Sequence, residues 1–201
     1  GPVLTETGSY VLPSSVLEVS GTLHLWYTVG NLNNDMGIAH ATSTDGGVNW
    51  TKTNNGSTVL SSGTPGTWDA AWAFAPTVLH DGSTFHMWYC GLNPIDGFSI
   101  GYATSTDGVT WQKYANNPVF EGRGGNYNFD ASDVYLPDVL FDGSTYHMWY
   151  SAMNGESATR IGYATSTDGL SWTRESSYAV LSETESWEGD VVEVPDVIWD
   201  G

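Results

Sequence analysis

The sequence is short of three things, and each shortage removes a class of function. It has five lysines and arginines against 23 aspartates and glutamates, a formal charge of −18 at pH 7. A chain with no cationic stripe cannot displace the counterions of a nucleic acid, and it is repelled by anionic membranes. Cys90 is the only cysteine, so no disulfide forms within the chain. No apolar run is long enough to cross a membrane as a helix, and no segment combines helical periodicity with capping residues. The opening Gly1-Pro2 reads as a protease scar, so the lack of a leader says nothing about the native start. A secreted, extracellular setting is the expectation.

What is present is globular. Forty per cent of the residues are hydrophobic and 13% aromatic, enough to build a core in one domain spanning 1–201.

The chain repeats itself. Trp50, Trp111 and Trp172 stand 61 residues apart, and Pro13, Pro76, Pro137 and Pro195 are separated by 63, 61 and 58. "DGSTFHMWY" at 81–89 returns as "DGSTYHMWY" at 142–150. Each unit reads as four short strands. The first follows the proline and ends at Asp-Gly, a hairpin signal. The second is rich in aromatic and β-favouring residues. The third is "IGYATSTDG", and the fourth begins at the tryptophan. Four strands in about 60 residues with no helix is the pattern of a propeller blade. The expected fold is all-β: four-stranded antiparallel blades at about 10–68, 73–129 and 134–187, and one extra inner strand at 192–201. Three blades and a strand do not close a ring, so either the chain is a piece of a longer one or copies assemble to share a ring; an open sheet edge invites pairing, and a homo-oligomer that completes the ring is expected.

The repeated "STDG..W" resembles the Asp-box of sialidases and related propellers. Its residues are Ser43, Asp45 and Trp50, then Ser105, Asp107 and Trp111, then Ser166, Asp168 and Trp172. Serine and aspartate side chains satisfy backbone N–H groups of a turn, and tryptophan anchors the next strand. A feature present in every blade reads as structural. The same holds for His24, His86 and His147, which recur at one blade position each, whereas ligands of one metal ion must converge.

Chemistry is sought where the copies are arranged around an axis or disagree. Seven residues before each proline stand Glu6, Asp69, Asp130 and Glu188, with Trp68, Phe129 and Trp187 just before three of them. Two readings remain open. Each carboxylate serves its own turn, or Asp69, Asp130 and Glu188 face a shared ligand as catalytic candidates. Two residues before the prolines stand Val11, Phe74, Tyr135 and Glu193, so a carboxylate appears there once. Asp133 and Asp190 add acid nearby, and Trp68, Trp72, Phe74 and Tyr135 offer flat faces. Carboxylate pairs with aromatic walls are what glycoside hydrolysis uses.

"FAPTVLHDGSTFHMWYCG…IGYATSTDGVTW" resembles the blades of the five-bladed propeller glycosidases. These are the arabinanase/β-xylosidase and invertase/levansucrase families, with the related mannoside phosphorylases. The resemblance covers essentially the whole chain. It implies a general acid two residues before a strand-one proline, which Glu193-Val194-Pro195 matches. It also implies a base and a pKa-tuning aspartate directly before such prolines, where this chain has Leu12, Ala75, Leu136 and Val194. It implies no required cofactor, and a channel ion such as Ca2+ in some members. The expected function is glycoside-hydrolase-like action on, or binding of, plant- or microbe-type poly- or oligosaccharide. The alternatives are a non-catalytic glycan-binding or interaction propeller, and an inactive blade fragment that self-assembles.

Overall fold

A computed structural model describes residues 4, 10–31, 36–125, 128–155, 158–183 and 189–198. Glu6, Trp187 and Glu188 lie outside the described residues. Three antiparallel blades follow one another. The first runs β1 (Tyr10–Val19), β2 (Thr22–Gly30), β3 (Met36–Ser43) and β4 (Thr51–Lys52). The second runs β5 (Trp72–His80), β6 (Phe85–Asn93), β7 (Gly97–Ser105) and β8 (Gln112–Lys113). The third runs β9 (Asp133–Phe141), β10 (Tyr146–Met153), β11 (Arg160–Ser166) and β12 (Thr173–Arg174). Strand order follows chain order in each blade, apart from one parallel pair, Met36 with Trp72, that joins blade 1 to blade 2.

The hairpins form where the repeats place Asp-Gly. Asp81 and Asp142 each accept backbone N–H bonds from the two residues that close the turn. The third strand ends in the repeated Ser-Thr-Asp-Gly turn, the Asp-box-like element. In each copy the serine hydroxyl accepts the glycine N–H, and the aspartate accepts two further N–H groups. Hydrogen bonds to the charged form hold Asp45 and Asp107 down at about 2.

The core lies between blades. Trp26, Val78, Phe85 and Met87 pack blade 1 on blade 2, and Trp88, Val139 and Met148 pack blade 2 on blade 3. Burying each such side chain contributes about 1.5–3 kcal/mol. An indole hydrogen bond also crosses each junction. The Trp26 indole N–H donates to the Gly108 carbonyl at 2.9 Å, and Trp88 donates to Gly169 at 2.8 Å. The second strand of one blade thus holds the Asp-box of the next.

Residues 192–198 lie against blade 3 as an inner strand would. Val191 bridges Thr159 in parallel, as Trp72 bridges Met36. Among the described residues no strand ladder forms there.

Candidate functional site

The first strands of the three blades and residues 194–196 surround one axial cavity of about 470 Å3. The proline column shapes its wall. The residue before three of the four prolines takes a left-handed conformation, with φ of 47° at Ala75, 49° at Leu136 and 63° at Val194. Non-glycine residues adopt this at a cost, and the neighbouring blade compensates. The Ala75 N–H donates to Thr28 Oγ1 at 2.9 Å, and the Val194 N–H donates to Ser151 Oγ at 3.0 Å. Cys90 holds the same place opposite Leu136, where burial pushes its thiol up. Thr77 and Asp138, directly after their prolines, and Ser15, two residues after Pro13, repeat the device one step inward. Ser15, Thr77 and Asp138 accept the N–H groups of Val78, Val139 and Val197. Neutral hydroxyls line one side of the cavity, and Asp138 and Asp196 line the other. Burial raises the Asp138 carboxyl, and Asp196 adds to the rise.

An aromatic arc crosses the mouth. Trp72 meets Phe74 at 6.0 Å, Phe74 meets Phe98 at 5.8 Å, and Phe98 meets Tyr135 at 5.4 Å. The Tyr135 hydroxyl donates to Glu193 Oε2 at 3.4 Å and contacts Thr159 Oγ1 at 3.2 Å. Tyr135 is buried and its phenol is pushed up to about 12, mainly by that burial. Glu193 is exposed at the end of the arc. Asp133 accepts the Phe98 N–H at 2.8 Å and lies over Gly97, whose φ is 87°. A side chain on Gly97 would meet the Asp133 carboxylate, so the glycine lets Asp133 fix Phe98.

Trp72, Phe74, Tyr135, Asp133 and Glu193 therefore come together. Asp190 is exposed nearby, and its carbonyl accepts the Thr159 N–H at 2.8 Å. Phe98 was not among the expected residues. It sits on the third strand, in a column holding Met36 and Thr159 in the other blades, and the same comparison of copies would have found it.

Asp69 and Asp130 are placed elsewhere, inside the outer half of the sheet. Asp69 is 2% exposed and bonds the Tyr89 hydroxyl at 3.2 Å and Lys113 Nζ at 2.5 Å. Asp130 is fully buried. It pairs with Arg174 Nε at 2.6 Å and Arg123 Nε at 2.8 Å, and accepts the Tyr150 hydroxyl at 3.0 Å. Both tyrosines are pushed above their ordinary range by burial and the adjacent carboxylate. The column is thus a repeated clamp between a blade-linking segment and the outer strand. Trp68 packs against Tyr89 with ring centres 5.4 Å apart and planes tilted by 48°, closely over Gly91 and Gly101, within the packing of blade 2. Lys113, Arg123 and Arg174 serve these clamps, and Arg160 pairs with Glu183 at 2.9 Å.

The recurring histidines are bonded within their blades. His86 lies between the hydroxyl of Tyr102 and Asp81, and His147 between Tyr163 and Asp142. Among the described residues no three His, Cys, Asp or Glu side chains converge to hold a metal ion.

The fold and site define a propeller domain of the glycosidase type. The chain belongs to the family described as "Glycosyl hydrolases family 32 N-terminal domain", which it matches over residues 7–199. It is 35% identical over 127 residues to the uncharacterized protein Rv1502 of Mycobacterium tuberculosis, a match covering 60% of this chain and 40% of that one. It is similar in structure to a glycoside hydrolase at a TM-score of 0.75 and 19% identity, covering 94% of this chain and 64% of that one. It is also similar to the GH32 beta-fructofuranosidase BmSUC1 of Bombyx mori in complex with sucrose. There the TM-score is 0.68 and the identity 20%, over 94% of this chain and 39% of that one. The chain thus spans less than two thirds of the length of each.

Proposed function

We propose that this chain contributes the general-acid side of a glycosidase site acting on oligosaccharides. The single observation that carries the reading is the junction of Glu193 with the aromatic arc through the Tyr135 hydroxyl. Glu193 protonates the leaving oxygen, and the rings of Trp72, Phe74 and Phe98 stack on sugar faces. The second carboxylate is drawn from Asp138 and Asp196, which line the adjoining cavity. The ion pairs of Asp69 and Asp130 speak against either as base. The setting of such a domain is extracellular.

The ring is completed by further blades, with a second copy of this chain as their source. Three comparisons between repeats support further blades against the open faces of blades 1 and 3. Leu60 and Phe120 are 4% exposed, but Leu181 at the same position is 55% exposed. Val78 and Val139 are 4% and 1% exposed, but Val16 is 56% exposed. Trp26 and Trp88 are fully buried under the next blade, but Trp149 is only partly covered.

The test is hydrolysis of aryl arabinosides, xylosides and fructans by the wild type and by Glu193→Gln. Loss of about 10²–10⁴ in rate with sugar binding retained is expected. Unchanged turnover in the variant removes Glu193 from the chemistry. Light scattering checks the assembly, and a monodisperse monomer at micromolar concentration overturns the second-copy reading.

A further inference from the structure

Blade 1 departs from its copies at the opposite end of the inner strand. His24 pairs with Leu17, whereas the mouth of the cavity adjoins Val11 and Leu12. In blades 2 and 3 the histidine of the second strand faces a tyrosine hydroxyl and an aspartate, with Asp81 and Asp142 each at 3.1 Å. In blade 1 Ser20 stands in the aspartate column and His40 in the tyrosine column. His24 Nδ1 therefore faces His40 Nε2 at 3.1 Å, and His40 Nδ1 faces Thr53 Oγ1 at 2.8 Å. His40 is 1% exposed.

The pair sits on the junction with blade 2. The His24 ring lies 5.7 Å from both Trp26 and Phe85, and His40 lies 5.1 Å from Trp26. Trp26 is the residue whose indole N–H holds the Gly108 carbonyl of blade 2. The titratable neighbours are His80 on β5 and Asp107 in the turn after β7, while β6 presents Phe85 and the turn after β4 presents Thr53.

We propose that the His24–His40 pair is an acid-sensitive latch between blades 1 and 2. Two neutral imidazoles share one proton across the contact, one nitrogen donating and the other accepting. When both rings are protonated, both facing nitrogens carry N–H groups. The hydrogen bond is lost, and two like charges face each other with ring centres 5.2 Å apart. His80 adds to the repulsion and Asp107 relieves part of it. Burial holds both imidazoles below their ordinary value of 6.5, and His40 falls to about 4. The opened junction takes up protons that the closed one does not, so closure is complete above pH 6.5 and weakens as pH falls towards 4. Blades 2 and 3, which offer the same histidine a carboxylate, do not share this weakness.

The test is amide hydrogen exchange of the intact chain at pH 7 and pH 5, corrected for intrinsic rates. Exchange in β2 and β3 is expected to rise at least about tenfold at pH 5, the equivalent of one unit of pKa difference. The matching strands β6, β7, β10 and β11 should stay level. His40→Tyr installs the residue of the other copies and should remove the rise. If that variant does not fold, His24→Gln keeps a hydrogen-bonding side chain with no proton to gain and should reduce the rise to the part that the burial of His40 alone produces. An equal rise in all three blades, or a wild-type response in the folded variant, overturns the latch.

Discussion

Replacing Asp130 with asparagine separates a structural carboxylate from a catalytic one. The side chain is fully buried between two guanidinium groups, at 2.6 Å from Arg174 Nε and 2.8 Å from Arg123 Nε. Asparagine keeps the volume and removes the charge. It also turns an amide donor towards at least one group that can only donate. Removing one partner of a buried pair costs about 3–5 kcal/mol, because the charge left behind stays desolvated. The cation–π contact of Arg174 on Phe120, 4.0 Å from the ring centre, depends on the same placement. A domain of this size loses about 2–4 °C of melting temperature per kcal/mol, so Asp130→Asn should melt about 6–20 °C lower. Calorimetry reads this directly. Asp69→Asn should fall less, because its one basic partner, Lys113, is about a third exposed and water can take over part of its solvation. A melting temperature within about 2 °C of wild type, together with lost hydrolysis, would refute the clamp and return Asp130 to the chemistry.

Three further outcomes follow from the same contacts. Trp88→Phe removes the indole N–H held by Gly169 and leaves a buried carbonyl bare, so the urea midpoint should drop by the equivalent of about 1–3 kcal/mol. Trp149→Phe in the separated chain should barely move it, and an equal loss from both would refute the junction bond. The turn carboxylates Asp45 and Asp107, held near 2, contribute stability that is present above pH 3.8 and lost as pH falls through about 2. Tryptophan fluorescence against pH should show Asp107→Asn flattening that slope, and an unchanged slope argues against it. Gly101→Ala drives a methyl group into Trp68 and should cost about 1–3 kcal/mol in chemical denaturation.

The blades were legible in the sequence because their signals are local. Asp-Gly turns, alternating aromatic strands and the Asp-box all lie within a dozen residues, and the 61-residue spacing put them in register. The direction of the carboxylate column was not legible. Asp69 and Asp130 share an offset from proline with Glu6 and Glu188, but Lys113 and Arg174, which turn them into clamps, lie 44 residues further along the chain. The left-handed residues before the prolines were also hidden. Alanine, leucine and valine do not announce a positive φ, and only bonds such as those to Thr28 and Ser151 in the preceding blade explain it. Glu193 and its neighbours were found because the copies disagree there. Phe98 and His40 show that the same comparison, carried along the third strand, finds what the first strand alone misses.

The bond from tryptophan to the next Asp-box bears on how such a protein grows. Each repeat carries a connector at both ends: an indole on its second strand and a glycine carbonyl on its turn. A duplicated copy arrives with both already matched, so it can be inserted beside any existing unit without a new interface being invented. The number of units in a descendant ring is then a matter of gene copying and of the angle each junction tolerates. The mouth of the axial cavity is left free to diverge, because the joint that tolerates the insertion lies on another part of the molecule.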